Sequence, residues 1–191
     1  MIKMTSLDWS DGYEQWSLIR YDVPKDGHCL FHALSLAFFK PYIHESFNGK
    51  YISRLQVVKN LRSELAEKLG KPINNRGPRY YDLLNNGNTA EFAKAVPRYS
   101  LNNMMAELQS NQFIGYGYIE YIGNQLNKDI FILDGDKQKL YKSDEWPLTI
   151  KNRNAIVLYY QHHHFELVGI GEKTHFKPTH PFILFLKSKM I

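Results

Sequence analysis

One stretch limits what this chain can fold into more than any other: Pro24-Lys25-Asp26-Gly27-His28-Cys29-Leu30-Phe31-His32-Ala33-Leu34. Asp26-Gly27 after a proline is turn chemistry. Beyond it, apolar residues fall at Leu30, Ala33, Leu34, Ala37 and Phe38, the spacing of a helix set into a core. The protein's one cysteine, Cys29, is therefore expected to open a buried helix directly after a tight glycine loop. A thiol there feels the positive end of the helix dipole, which favours thiolate. The unpaired N–H groups of the first turn can receive an anion. A nucleophile beside an oxyanion hole needs this arrangement. The competing reading is a small core hydrophobe, since free cysteines are among the most buried residues.

The remaining pattern places the helices early and the strands late. Trp16 to Val23 reads as a short strand, and the Cys29 helix is expected to end near Lys40 because Pro41 follows. Residues 41 to 52 read as loop, with Asn48-Gly49 as a turn. Ser53 with Gln56 is a capping-box pattern, and Val58, Leu61, Leu65 and Leu69 form the apolar stripe of the helix it starts. Gly70 caps that helix and Pro72 bars its continuation. Tyr80 to Leu84 is expected to form a helical turn, Thr89 to cap Ala90–Val96, and Ser100 to cap a helix through Leu108. Tyr116 to Asn127 reads as a helix. Asp129 to Leu133 is a short strand closed by Asp134-Gly135, with Lys139 to Lys142 able to pair with it. Ala155 to Tyr160 is the strongest strand, and Phe165 to Ile170 follows. The tail from Gly171 carries two prolines and one apolar cluster. Helices followed by strands predict an α+β fold: a small sheet whose face carries the helices, the cysteine helix central. There is no internal repeat, low-complexity segment or linker, so residues 1–191 are expected to form one domain.

Composition narrows the function classes. Hydrophobic residues at 43% and charged residues at 23% are an ordinary globular mix. A lone cysteine makes no intramolecular disulfide, and the N-terminus lacks a signal-peptide core, so a cytoplasmic location is expected. The apolar run Pro181–Leu186 is too short to cross a bilayer, and no membrane partner is expected. Net charge is +5, but lysines and arginines are interspersed with acids, so no nucleic-acid partner is expected either.

The late strands meet at Gln161-His162-His163-His164-Phe165-Glu166. Thiol chemistry needs a base, usually histidine, and a third group to fix its ring. Alternate strand residues share a face, so a continuous strand would turn His162, His164 and Glu166 one way, and His163 and Phe165 the other. His164 with Glu166 is then a base with its orienter. Asn152 and Asn154, before the neighbouring strand, are alternative orienters, and a shift of the base by one or two residues stays open. A zinc site from Cys29, His32, His162 and His164 is a further alternative, although the expectation is no metal and no cofactor.

Asp26-Gly27-His28-Cys29-Leu30-Phe31-His32-Ala33 resembles the nucleophile motif of the ovarian tumour (OTU) family of cysteine proteases, Asp-Gly-x-Cys-Leu-Phe. His164-Phe165-Glu166-Leu167-Val168 resembles its histidine motif, and Gly115–Glu120, Gln125–Ile132 and Ile156–Tyr160 are similar to the stretches between. The resemblance covers about residues 20 to 170. It implies a papain-like, OTU-type fold with a small central sheet packed between helices. It also implies a deubiquitinase in which Cys29 is the nucleophile and His164 the base, with Asp26 shaping the oxyanion loop. The implied partners are ubiquitin, polyubiquitin chains or ubiquitin-like modifiers, and a monomer is expected. The chain's compactness is similar to OTU domains of viral origin, which would place it in host cytoplasm. Two positions depart from the family: Glu166 stands where Asp or Asn is usual, and His28 where Asn is common. Another papain-like thiol hydrolase, or an OTU-like binding module without activity, are the alternatives.

Overall fold

The computed structural model describes residues 2–10, 12–85, 100–141 and 150–190. Nine strands appear among them: β1 (Met4–Ser6), β2 (Leu18–Tyr21), β3 (Ser46–Phe47), β4 (Lys50–Tyr51), β5 (Asp129–Asp134), β6 (Lys139–Leu140), β7 (Ala155–Gln161), β8 (His164–Ile170) and β9 (His175–Phe176). The α-helices are α1 (Cys29–Phe38), α2 (Lys40–His44), α3 (Arg54–Gly70), α4 (Tyr80–Asn85), α5 (Leu101–Gln109), α6 (Ile119–Leu126) and α7 (Pro181–Met190). The expected helix Ala90–Val96 and residue Lys142 lie outside the described residues.

The main sheet runs β1-β2-β8-β7-β5-β6, and β9 pairs with β7. β5 and β7 are parallel, with Ile132 opposite Leu158; the other pairs are antiparallel. Central strands buried on both faces read as unbroken apolar runs, and β5 is buried at every position. Strand alternation splits these side chains between two clusters. Ile130, Ile132, Ile156, Leu158, Phe165 and Leu167 face α1, α3, α5 and α6. Phe131, Leu133, Val157, Tyr159 and Val168 face the other way, onto α7 and the N-terminal Trp9 and Tyr13.

Helices therefore cover both faces, as the resemblance implies, and the one-face arrangement expected from element order alone is corrected. The second cover is the C-terminal tail. Pro181 occupies the first turn of α7, where its missing N–H costs nothing. The ring Nδ1 of His180 accepts a hydrogen bond from Phe182 N at 3.3 Å, and Phe182, Ile183, Leu186 and Met190 are buried. Helix α1 is buried on nearly every side, from Cys29 through Ser35, which fits a helix between the sheet and other helices.

Pro41 does not simply end the cysteine helix. α1 stops at Phe38, and Pro41 sits in the first turn of α2. Residues 41 to 52, expected as loop, instead hold most of α2 and the β3–β4 hairpin. Among the described residues, no helix is long and apolar enough to cross a membrane.

Candidate active site

Residues 26 to 28 bring the chain into α1 through a hydrogen-bonded loop. Asp26 Oδ1 accepts from the backbone N–H of His28 at 3.0 Å, and Oδ2 lies 3.1 Å from His32 Nε2. His32 Nδ1 in turn meets the Tyr42 hydroxyl at 2.8 Å. Burial pushes the Asp26 carboxyl up, but the His28 N–H and the His32 ring together outweigh it, so its pKa lies below the ordinary value. Asp26 is thus tied to the backbone of its own loop and to the first turn of α1.

Gly27 has φ +81°, and a Cβ there would lie 2.0 Å from the carbonyl oxygen of Asn111. Only glycine suits both the left-handed conformation and that approach. The first helical bond runs from His32 N to His28 O, so the N–H groups of Cys29, Leu30 and Phe31 form the open end of the helix.

Arg62 fastens this loop from behind. It is 1% exposed, and all five of its N–H donors have acceptors. Nε donates to Leu108 O at 2.7 Å, and Nη2 to Glu107 O at 2.8 Å and Gln112 O at 3.0 Å. Nη1 donates to Gly27 O at 3.2 Å and lies 3.1 Å from His28 Nδ1. A guanidinium can only donate, so His28 Nδ1 is the acceptor and the ring is neutral. Burial and Arg62 both push the His28 pKa down, consistently with that. Burial lowers Arg62 itself to about 10, which leaves it charged at neutral pH. The sequence carried a signal for Arg62: it lies four residues after Val58 and three before Leu65, on the buried side of α3.

Cys29 is 2% exposed and belongs to the core cluster. α1 packs on β8, and the backbone N–H groups of Phe165, Leu30 and Cys29 itself favour the thiolate. Burial is the larger effect and pushes the thiol above its ordinary pKa. The expectation that the helix end would favour thiolate is therefore reversed in the resting protein, because desolvation of the anion outweighs the N–H donors. His164 is the next residue along β8 from Phe165. Burial, and then Lys25, lower its pKa against the opposing pull of Asp22.

The three histidines do not form a continuous strand. β7 ends at Gln161, paired with His164, and His162 and His163 are the two turn residues between them. Their φ values are +49° and +59°, as in a type I′ hairpin turn. His162 is exposed beside Asp136, and His163 lies near Phe113. The shared face expected for His162 with His164 and Glu166, and for His163 with Phe165, is lost to the turn. His164 and Glu166 keep the alternation within β8.

Around His164 the acids are Asp22 and Glu166; one ligand-type atom from each of the three lies within 4.8 Å of the others. Asp22 Oδ1 is 3.8 Å from His164 Nε2, and Glu166 Oε2 is 3.1 Å from Arg20 Nη1. Asn152 and Asn154 are excluded as orienters. They precede Ala155, whereas His164 pairs at the far end of β7, about 20 Å away. Asn152 Oδ1 accepts from Lys187, and Asn154 O from Asp129 N. The zinc quartet is not assembled either: His32 is bound to Asp26 and Tyr42, and His162 lies in the exposed turn.

Beside Phe165 stands an aromatic wall. Phe113 stacks on Phe165 at 5.7 Å, and Tyr160 lies 5.0 Å from Phe165 and 4.8 Å from Tyr116. A separate apolar cavity of 390 Å³, lined by Leu34, Phe38, Phe47 and Leu61 among others, reaches none of Asp26, Cys29, His164 or Glu166.

No protein-family model matches the sequence, and no curated protein matches it. Solved structures do. An ovarian tumour (OTU) domain in complex with ubiquitin aligns over 98% of this chain and 89% of its own, at 19% identity and a TM-score of 0.58. The OTU domain of OTUD1 aligns over 82% and 88% at 17% identity, TM-score 0.49. The viral OTU domain protease from Taggert virus aligns over 93% and 98% at 11% identity, TM-score 0.48. The first of these shows that this chain has the OTU-type α+β fold.

Proposed function

We propose that this chain, folded as an OTU domain, is a cysteine-type deubiquitinase. One observation carries the reading: Cys29 opens the central helix α1, which packs on β8, the strand that carries His164. This is where the sequence motifs put nucleophile and base.

In the reaction, the Cys29 sulfur attacks the carbonyl carbon of a modifier's C-terminal glycine, and its proton passes to His164. The N–H groups at the open end of α1 receive the oxygen as it gains charge. The C–N bond breaks, the lysine amine leaves with the proton from His164, and a thioester remains. Water then adds, giving its proton to His164, and the free carboxylate departs from the regenerated thiol. The lowered pKa of His164 keeps the imidazole neutral near pH 7, the state a base requires. The aromatic wall of Phe113, Tyr116 and Tyr160 suits a narrow groove for a flexible Gly-Gly terminus. Ubiquitin is the substrate favoured by the fold's likeness to an OTU domain solved with ubiquitin bound.

The 2% exposure of Cys29 favours a second reading, a ubiquitin-binding module without turnover. A ubiquitin carrying a C-terminal thiol-reactive warhead separates the two. The deubiquitinase forms a covalent adduct that is lost in Cys29→Ala. Binding of ubiquitin with no adduct at Cys29 would sink the enzyme reading.

A further inference from the structure

We infer that Asp22, and not Glu166, is the residue that holds the His164 ring for catalysis. The inference rests on the deubiquitinase reading and adds a positioning residue that the sequence motifs do not contain.

Sheet register places Asp22 at the base. β2 pairs with β8 through Arg20 opposite Val168 and Tyr21 opposite Leu167. Carrying the register one step further sets Asp22 across from Glu166, on the strand face shared with His164. The chain is held there from the other side, because the Asp22 N–H donates to Lys3 O at 2.9 Å, beside β1.

The atoms agree with this placement. His164 Nε2 is buried and has no hydrogen-bond partner. An orphaned buried nitrogen is costly in a folded protein and points to a partner that engages at another stage of the work. Asp22 Oδ1 is the carboxylate oxygen paired with that nitrogen, at 3.8 Å. Apo enzymes often hold such contacts long and tighten them when substrate binds. An acceptor at Nε2 leaves Nδ1 for the thiol, so one ring can bridge orienter and nucleophile.

Glu166 is differently engaged. Its Oε2 also lacks a hydrogen-bond partner but is ion-paired, 3.1 Å from the Arg20 guanidinium, and Arg20 is itself seated over the Tyr159 ring at 4.8 Å. Among the described residues, the Asp22 carboxylate has no ion-pair partner other than His164. The charged groups around His164 are thus Asp22 and Lys25 after β2 and Glu166 on its own strand, with Arg20 behind it.

Two measurements test the assignment. The first is steady-state kinetics on a fluorogenic ubiquitin C-terminal amide for wild type, Asp22→Asn, Asp22→Glu and Glu166→Gln. Asp22→Asn should lower kcat by at least roughly tenfold with KM nearly unchanged, and Asp22→Glu should recover part of it. Glu166→Gln should lose less than Asp22→Asn by roughly tenfold. Removing the Asp22 charge removes a pull that raises the His164 pKa, so the acid limb of kcat/KM should move to lower pH. Collapse of Glu166→Gln with Asp22→Asn near wild type would overturn the inference and leave the deubiquitinase reading standing. A wild type that neither turns over substrate nor reacts with the warhead would overturn that reading instead. The second measurement needs no turnover: nitrogen chemical shifts of the His164 ring in the free protein. The proton should sit on Nε2 in wild type and lose that preference in Asp22→Ala, which leaves no acceptor at that position. An unchanged tautomer would overturn the assignment.

Discussion

The guanidinium of Arg62 donates to the carbonyl oxygen of Gly27 at 3.2 Å, tying a buried charge on α3 to the loop that enters the cysteine helix. The same group holds the end of α5 and the loop after it, at Glu107, Leu108 and Gln112. Three segments distant in sequence are thereby fixed to one planar fork.

Arg62→Lys should therefore destabilise the fold by at least about 3 kcal/mol, because an ammonium cannot serve five diverging acceptors and leaves buried ones unpaired. Urea unfolding of both proteins checks this. A loss below about 1 kcal/mol would mean that the fork is not what holds the loop.

Most of the site's framework could be read from the chain, and each exception has a physical reason. The Asp26-Gly27 turn, the apolar spacing after Cys29 and the Ser53 cap are local signals, and each has its counterpart: the Gly27 loop, α1, and Ser53 accepting from Gln56 N at 3.2 Å. The strand Ala155–Tyr160 is equally local and became β7. Asp22 was invisible because its meeting with His164 depends on the register of β2 against β8, a pairing across some 150 residues. Arg62 stands within the apolar stripe of α3, where nothing local separates a solvated charge from one surrounded by five backbone and ring acceptors. The α7 signal was present, with Pro181 at a helix start and Phe182, Ile183, Leu186 and Met190 at helical spacing. What the sequence does not show is that the second sheet face needs a cover. The histidine run misled for another reason, since nothing local distinguishes a strand from a two-residue turn when the turn lacks glycine and asparagine.

That turn gives the next expectation. His162 and His163 both occupy the left-handed region, which costs about 1 kcal/mol or more per non-glycine residue. Asn-Gly is the pair that such a turn prefers. The double substitution His162→Asn, His163→Gly should raise stability by about 1 kcal/mol, less whatever is lost at the Phe113 and Tyr160 contacts of His163. A rise in the thermal midpoint checks it; a clear fall would mean that those ring contacts outweigh the backbone strain.

Acid should weaken the fold well above the carboxylate range. The pKa values of His28 and His32, both nearly fully buried, lie below the ordinary histidine value, burial being the main cause in each. As pH falls through about 6.5, the unfolded chain takes up protons that the native chain refuses. Stability is thus full above that range and falls below it, by about 1.4 kcal/mol per pH unit for each proton of difference. Asp26, with its lowered pKa, adds a further loss below its ordinary value. Urea midpoints at pH 7.5, 6.5 and 5.5 should fall in that order, and His28→Asn should flatten the slope. A flat profile down to pH 5.5 would show the native histidines protonated without cost.

The last expectation concerns the thiol. A depressed pKa would make Cys29 react fast with iodoacetamide at neutral pH, because thiolate is the reacting form. The structure predicts the reverse for the free protein. The sulfur is 2% exposed, and burial holds its pKa up against the N–H groups of Phe165, Leu30 and Cys29 while the Asp26 charge pushes the same way as burial. Alkylation at pH 7 should be at least roughly tenfold slower than that of the urea-unfolded chain, and it should still be climbing past the ordinary cysteine range. Asp26→Asn should shift the climb to lower pH, since it removes a negative charge near the sulfur. Loading the protein with ubiquitin is expected to change this behaviour if the bound terminus opens the site, so the free and loaded rates are compared on one sample. Rapid alkylation of the free protein with a plateau between pH 6 and 7 would instead describe a resting thiolate–imidazolium pair, with the helix end outweighing burial.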